Sequence, residues 1–228
     1  MSITLYDLCA KDEAVRFSPA CWLVKFALLH KGVRFETVPR TFSNKASYPD
    51  PDYGLLPQLD DDGVLIKDSD VILNHLDTKY KDRPLTRTQG EAAADDLIEG
   101  FLNRYVYTSL APLMFVRVHA VLAEDDQEFF RKKRENALGA TLAEAAERPG
   151  LGEQYGAALK TLARPLKTHR FFGGEQPSVA DYRVAAVMMW KRSITADEFA
   201  PIPAPFAAWF ERILSLYDGY AGKAPRAE

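Results

Sequence analysis

The apolar pattern of this 228-residue chain changes period once, near Lys81-Asp82-Arg83-Pro84-Leu85, and no other feature restricts its fold as much. Before that point short alternating runs mix with single helical stretches. After it the spacing is helical almost to the end. A chain of this length, 47% apolar, buries a sizeable core as one large or two small domains. The change of period selects two: an α/β unit over residues 1–83 and an all-helical unit over 88–228, with a proline between them that limits helix continuation.

Within the first unit, Ile3-Thr4-Leu5-Tyr6-Asp7-Leu8 reads as a strand. Ser18 as N-cap, Pro19 at the first helical position, an apolar stretch from Cys21 to Leu29 and Gly32 just past Lys31 delimit a helix. Val33-Arg34-Phe35-Glu36 alternates and reads as a second strand, so the start of the chain is a βαβ unit with a parallel pair. After a polar loop from Arg40 to Tyr53, the runs Leu55–Leu59 and Val64–Ile66 flank Asp60-Asp61-Asp62-Gly63 as a hairpin. Asp68-Ser69, with Ser69 as N-cap, then opens a helix through Val71, Ile72, Leu76 and Tyr80. The order βαβ, loop, ββα is that of the thioredoxin fold, a four-stranded mixed sheet with helices on it. Helices are predicted over Ala92–Leu122 and Asp126–Glu147, and near 152–164, 178–192 and 204–217.

Charge and composition narrow the function. With 29 basic and 32 acidic residues the net charge is −3, which lacks the footprint of a nucleic-acid binder. No uncharged apolar run approaches the roughly 18 residues of a membrane span. Strand residues follow Met1 directly, without a basic leader or apolar signal core, and Cys9 and Cys21 are the whole cysteine complement. These point to a reducing, cytoplasmic setting. His30, His75, His119 and His169 show no metal spacing, and no glycine-rich phosphate loop is present.

Ser18 follows strand one and starts the first helix, beside unpaired backbone N–H groups and the positive helix end. It is either a plain cap or a hydrogen-bond donor to a thiolate that a ligand brings. Three residues on, Cys21 stands where a redox protein of this fold has its second cysteine, but the first position is serine; Cys21 reads as a buried core thiol, which disfavours a glutaredoxin-like reductase. Cys9 is packing, or lies near the site. Leu56-Pro57 is either a trans proline in an edge strand or a cis pair presenting the Leu56 backbone to a peptide-like ligand. Asp68 and Ser69 are an ordinary cap or hold the two ends of an α-amino acid. Arg40 and Lys45 on the loop are solvated or meet a second carboxylate, and Arg16 adds positive field near Ser18. Tyr105, Tyr107, Phe115 and Trp190 are core, or a subset of them walls an apolar cleft. Ser178 and Asp181 form a capping box, a folding element.

Ser18-Pro19, Leu56-Pro57, Asp68-Ser69 and a helical half with the Ser178/Asp181 box, in this order, together resemble a cytosolic glutathione transferase of the serine type. Ile3–Leu8, His30-Lys31-Gly32, Leu76-Asp77, Lys79-Tyr80, Asp82-Arg83-Pro84, Gly173-Gly174, Gln176-Pro177 and Leu216-Tyr217-Asp218-Gly219 further resemble the bacterial glutathione-dependent β-etherases and the related fungal-A class. The resemblance implies glutathione as co-substrate. Leu56 would pair with its cysteinyl amide, Asp68 and Ser69 would hold its γ-glutamyl end, and Ser18 would bond its sulfur. It also implies a homodimer acting on an apolar or aromatic electrophile, with ether cleavage as one form of that chemistry. A non-catalytic module of the same fold that binds ligands or partners is the alternative.

Overall fold

The computed structural model describes residues 2–227. Four strands form one sheet in the order β2-β1-β3-β4: β1 (Ile3–Leu8), β2 (Glu36–Arg40), β3 (Gln58–Asp61) and β4 (Val64–Lys67). β1 pairs parallel with β2 and antiparallel with β3, with Leu5 opposite both Thr37 and Leu59. Leu5 and Leu59 are fully buried, and Ile66 of β4 joins them in the core. β2 is an edge strand, which tolerates Pro39 because its missing N–H falls outside the paired ladder. The β3–β4 turn needs positive φ at both central residues, supplied by Asp62 (56°) and Gly63 (86°).

β2 starts later than the alternation at Val33–Glu36 suggests. The Gly32 and Val33 N–H groups donate to Leu29 and Leu28 carbonyls, so those residues are still closing helix α1 (Pro19–Lys31). Gly32 takes the left-handed conformation expected past a helix end. Every α1 residue from Cys21 to Leu28 is buried, because the helix lies between the sheet and the helical unit. Helix α2 (Ser69–Lys79) corrects another expectation: its N-cap is Asp68, whose carboxylate accepts from the Asp70 and Val71 N–H groups, and Ser69 is the first helical residue.

The helical unit begins with α3 (Gln89–Phe101), capped by Thr88, and α4 (Tyr107–Val121). The single helix expected over 92–122 is interrupted by a π-helical turn at Leu102–Val106, an insertion that no apolar spacing announces. The helix expected over 126–147 is two, α5 (Glu124–Leu138) and α6 (Leu142–Ala146), since Gly139 turns left-handed and Thr141 with Glu144 opens a new capping box. Helices α7 (Leu151–Ala163), α8 (Val179–Ile194) and α9 (Ala204–Gly219) complete it. In α9 helical geometry stops before Leu216, and Tyr217 and Asp218 have φ of 54° and 56°. That turn sends the chain back toward α1, where Tyr220 packs edge-on against Trp22.

The Ser178/Asp181 box is present at the start of α8 and extends further than a cap. The buried Asp181 carboxylate also accepts from the Phe172 and Gly173 N–H groups and from Trp209 Nε1 of α9. Burial raises its pKa while these donors pull the other way. No helix among the described residues is long and apolar enough to cross a membrane.

Candidate functional site

The loop after β1 folds back on itself through the Cys9–Arg16 bridge and the Ala10 N–H to Val15 carbonyl bond, which sets Phe17 and Ser18 at the mouth of the junction between the two units. Ser18 is extended and caps α1: its Oγ accepts from the Cys21 N–H at 3.4 Å, and its carbonyl accepts from Trp22 N–H. Pro19 fixes the first helical position without an N–H of its own. Ser18, Pro19 and Leu56 form one side of a cavity of about 300 Å³, and Tyr107, Phe115 and Trp190 form the other. That is the lower end of the size range of small-ligand sites, with the mix of apolar wall and few polar groups typical of them.

The Leu56–Pro57 peptide is cis, and the Leu56 backbone, just ahead of β3, makes no hydrogen bond among the described residues. The buried Gln58 side chain fixes the approach to it by bonding the Asp50 and Leu55 backbone. At α2, Asp68 has φ of 74° and ψ of 136°, a conformation that L residues with side chains rarely adopt and one that concentrates at functional sites. Ser69 lies in a second, smaller pocket of about 140 Å³, between α1, α2, the π turn and α8. The two pockets share Pro19 and Tyr107, so they adjoin at the start of α1. Burial raises the Tyr107 pKa and keeps its hydroxyl a neutral donor.

Of the loop and helix residues singled out from sequence, Lys45, Tyr107 and Phe115 reach the main cavity together with Ser18 and Leu56. Lys45 Nζ sits against Gly54, where an added Cβ would lie 3.1 Å from it. Arg40, Arg16, Cys9 and Tyr105 do not line the cavity. Arg40 lies in β2, where Nε donates to the Ser47 carbonyl (2.7 Å), a bond that ties down its own loop. Arg16 turns to the Glu13 carbonyl and to the buried Asp7, which pairs with Lys25. Cys9 is fully buried, donates to the Arg40 carbonyl at 3.3 Å, and burial pushes its thiol up to about 11. Cys21 is also fully buried and its pKa is raised further by the same cause, so neither is a thiolate near neutral pH. Tyr105, on the π turn, is 55% exposed on a different face.

Sequence reasoning missed the contribution of α5. Asp126, Phe129, Phe130, Lys133 and Arg134 follow i, i+3, i+4, i+7, i+8 spacing and form one helical stripe, and the last four line the cavity. Asp126 holds the stripe in place: its buried carboxylate accepts from the Phe42 and Ser43 N–H groups at 3.1 and 2.7 Å, binding α5 to the loop after β2. The stripe was readable, but the cations within it look like a solvated face until the partner loop is known. Among the described residues no group of three or more His, Cys, Asp or Glu is placed to hold a metal ion.

Two family models match the chain, one described as the glutathione S-transferase N-terminal domain over residues 14–84, the other as the glutathione S-transferase C-terminal domain over residues 93–212. Among solved structures, a glutathione S-transferase of Ceriporiopsis subvermispora in complex with glutathione is similar over 96% of this chain and 97% of its own, with a TM-score of 0.76 and 23% identity. A second transferase from that organism, also in complex with glutathione, gives a TM-score of 0.78 at 19% identity, over 96% of this chain and 99% of its own. A glutathione transferase from Phanerochaete chrysosporium gives 0.73 at 21%, over 98% and 94%. At these identities the structures speak to the fold, whereas the C-terminal family model alone spans more than half of the sequence. The chain belongs to the glutathione S-transferase family.

Proposed function

We propose that the protein is a glutathione transferase in which Ser18 holds the glutathione sulfur as a thiolate and the cavity behind it presents an aromatic electrophile. In this reading residues 1–83 bind glutathione and residues 88–228 provide the electrophile site. One observation carries it: the Ser18 hydroxyl caps α1 at the edge of an apolar cavity, while both cysteines of the chain are buried away from it. A hydroxyl and a helix N-terminus together stabilise a negative sulfur. The free Leu56 backbone suits the cysteinyl amide, the Asp68–Ser69 turn the γ-glutamyl end, and Lys45 the glycine carboxylate. Arg40 is withdrawn from that last role because its guanidinium binds its own loop.

In the reaction the thiolate forms a bond to an electrophilic carbon as the leaving group departs with its electron pair. Where that group is an aryl ether oxygen, the phenolate released takes a proton from water, which would make the enzyme etherase-like. Apolar residues exposed on α2 (Val71), α3 (Leu97) and the π turn (Tyr105) support a homodimer.

Ser18→Ala tests the assignment. Removing a single donor to a developing or stabilised anion costs on the order of 100-fold in turnover, so kcat/KM for a chromogenic aromatic electrophile should fall by about that factor, with weaker thiolate absorbance of the bound glutathione. Unchanged turnover and unchanged absorbance would remove Ser18 from the mechanism. A folded protein that glutathione resin fails to retain would favour the non-catalytic module instead.

A further inference from the structure

Among the residues lining the Ser18 cavity none is acidic, while three are cationic: Lys45, Lys133 and Arg134. The reading above uses Lys45 for glutathione and leaves the two α5 cations without a role. Their surroundings differ from those of ordinary surface charges. The Arg134 guanidinium lies over the rings of Phe115 and Phe130, at 4.8 and 5.2 Å, and its buried Nε has no hydrogen-bond partner among the described residues. Arg131, on the same helix but facing outward, pairs with Glu135, whereas the one carboxylate of the cavity-side stripe, Asp126, is taken up by the Phe42–Ser43 loop and does not line the cavity. Burial lowers the pKa of Arg134, and that of Lys133 is lowered by burial and by the charges of Arg134 and Lys45. Arg134, partly removed from water and unpaired, with the exposed Lys133 crowded beside it, is costly to a fold and marks a place where a ligand supplies the opposite charge.

We propose that the electrophile site selects aromatic acids: the ring lies among Phe115, Phe130 and Trp190, and a carboxylate on it bonds to Arg134 with Lys133 as a second cation at the mouth. The aromatic wall gives little discrimination among apolar rings, whereas a guanidinium bonds a carboxylate through two parallel N–H donors. The identity of the transformed molecule rests on the transferase reading; the binding preference does not.

Two measurements separate the two. In the first, kcat/KM with glutathione is compared for chlorodinitrobenzoate and the uncharged chlorodinitrobenzene. In both, the C–S bond forms as the C–Cl bond breaks and chloride leaves with its electron pair. The acid-to-neutral ratio should fall about tenfold or more in Arg134→Gln, the loss expected for a hydrogen bond to a charged group. It should fall less in Lys133→Gln, and Arg134→Lys should restore part of it. In the second, calorimetry measures binding of unreactive dinitrobenzoate and dinitrobenzene to the wild type and to Arg134→Gln. The acid should bind more tightly, lose that advantage in the variant, and weaken as salt is raised. Equal binding of the two compounds, a ratio unmoved by either variant, or a rise only in the KM for glutathione would overturn the proposal. If neither chloro compound is turned over, the transferase reading fails and the calorimetry still decides the binding preference.

Discussion

The α/β unit and the helices meet along two faces that use the same kind of residue in opposite ways. On the α1–α8 face, Arg183 donates from Nε to Asp95 and from Nη2 to Asp70, both at 2.7 Å, joining α2, α3 and α8. Burial alone would lower the Arg183 pKa, but these two carboxylates hold it above the usual arginine range. Beside it Phe26 stacks on Tyr182 with ring centroids 5.5 Å apart, and the Tyr182 hydroxyl contacts both His30 and Tyr217. On the cavity face Arg134 has aromatic rings for neighbours and no carboxylate. An arginine that closes a structure arrives with its counter-charges, whereas one that waits for a ligand arrives without them. The two faces thus separate what holds the units together from what they hold between them.

Substituting the two arginines is the strongest way to break this contrast. Arg183→Leu leaves Asp95, only 14% exposed, without its partner, and breaking such a pair costs about 3 kcal/mol. Arg134→Met removes an uncompensated cation and keeps an apolar chain over the rings, so stability should change by less than about 1 kcal/mol. Urea unfolding midpoints check both, and equal destabilisation by the two substitutions would erase the distinction. A smaller effect tests the closed face alone. Tyr217→Phe deletes the hydroxyl bonded to Tyr182 and should cost about 1 kcal/mol. No loss would mean that the turn at Leu216–Asp218 is held by packing only.

How much of this was readable follows from where each signal is encoded. Strand β1, helix α1 with Ser18 and Gly32, and the Ser178/Asp181 box were legible because each depends on local chemistry, alternation or caps. The β3–β4 hairpin was legible too, but its first strand is Gln58–Asp61 and not Leu55–Leu59, since Asp60 and Asp61 pair with Leu65 and Val64 and leave only Asp62 and Gly63 in the turn. The start of β2, three residues later than the alternation suggests, and the cap at Asp68, one residue earlier, are decided by local hydrogen bonds. The π turn and the break at Gly139 interrupt helical patterns whose apolar spacing continues across them. The cavity was the least legible part, since Phe17, Phe42 and the α5 pair Phe130 and Arg134 come from three separate places in the chain. Ser18, Leu56, Lys45, Tyr107, Phe115 and Trp190 of its lining stood out in the sequence, whereas the direction of the α5 stripe depends on Asp126 gripping a loop more than eighty residues earlier.

The smallest expected effect concerns pH and again belongs to the closed face. His30 Nδ1 lies 2.7 Å from the Tyr182 hydroxyl and Nε2 lies 3.2 Å from the Pro84 carbonyl. Every partner is satisfied if Nε2–H donates to Pro84, Tyr182 donates to Nδ1, and Tyr217 donates to Tyr182, which requires a neutral ring. Burial lowers the His30 pKa from its ordinary 6.5; Lys31 and Arg87 act in the same direction, while the Pro84 carbonyl and Asp77 oppose them. The unfolded chain therefore takes up this proton first as pH falls. The contribution is fully present above about pH 6.5 and is lost on the acid side, at no more than about 1.4 kcal/mol for each pH unit. His30→Gln should accordingly flatten the decline in urea midpoint between about pH 6.5 and pH 5 relative to the wild type. The cavity face predicts no such change, because Lys133 and Arg134 stay charged throughout that range. An unaltered slope in His30→Gln would show that the ring is free to protonate in place, and that the hydroxyl chain across α1, α8 and α9 does not depend on its neutral form.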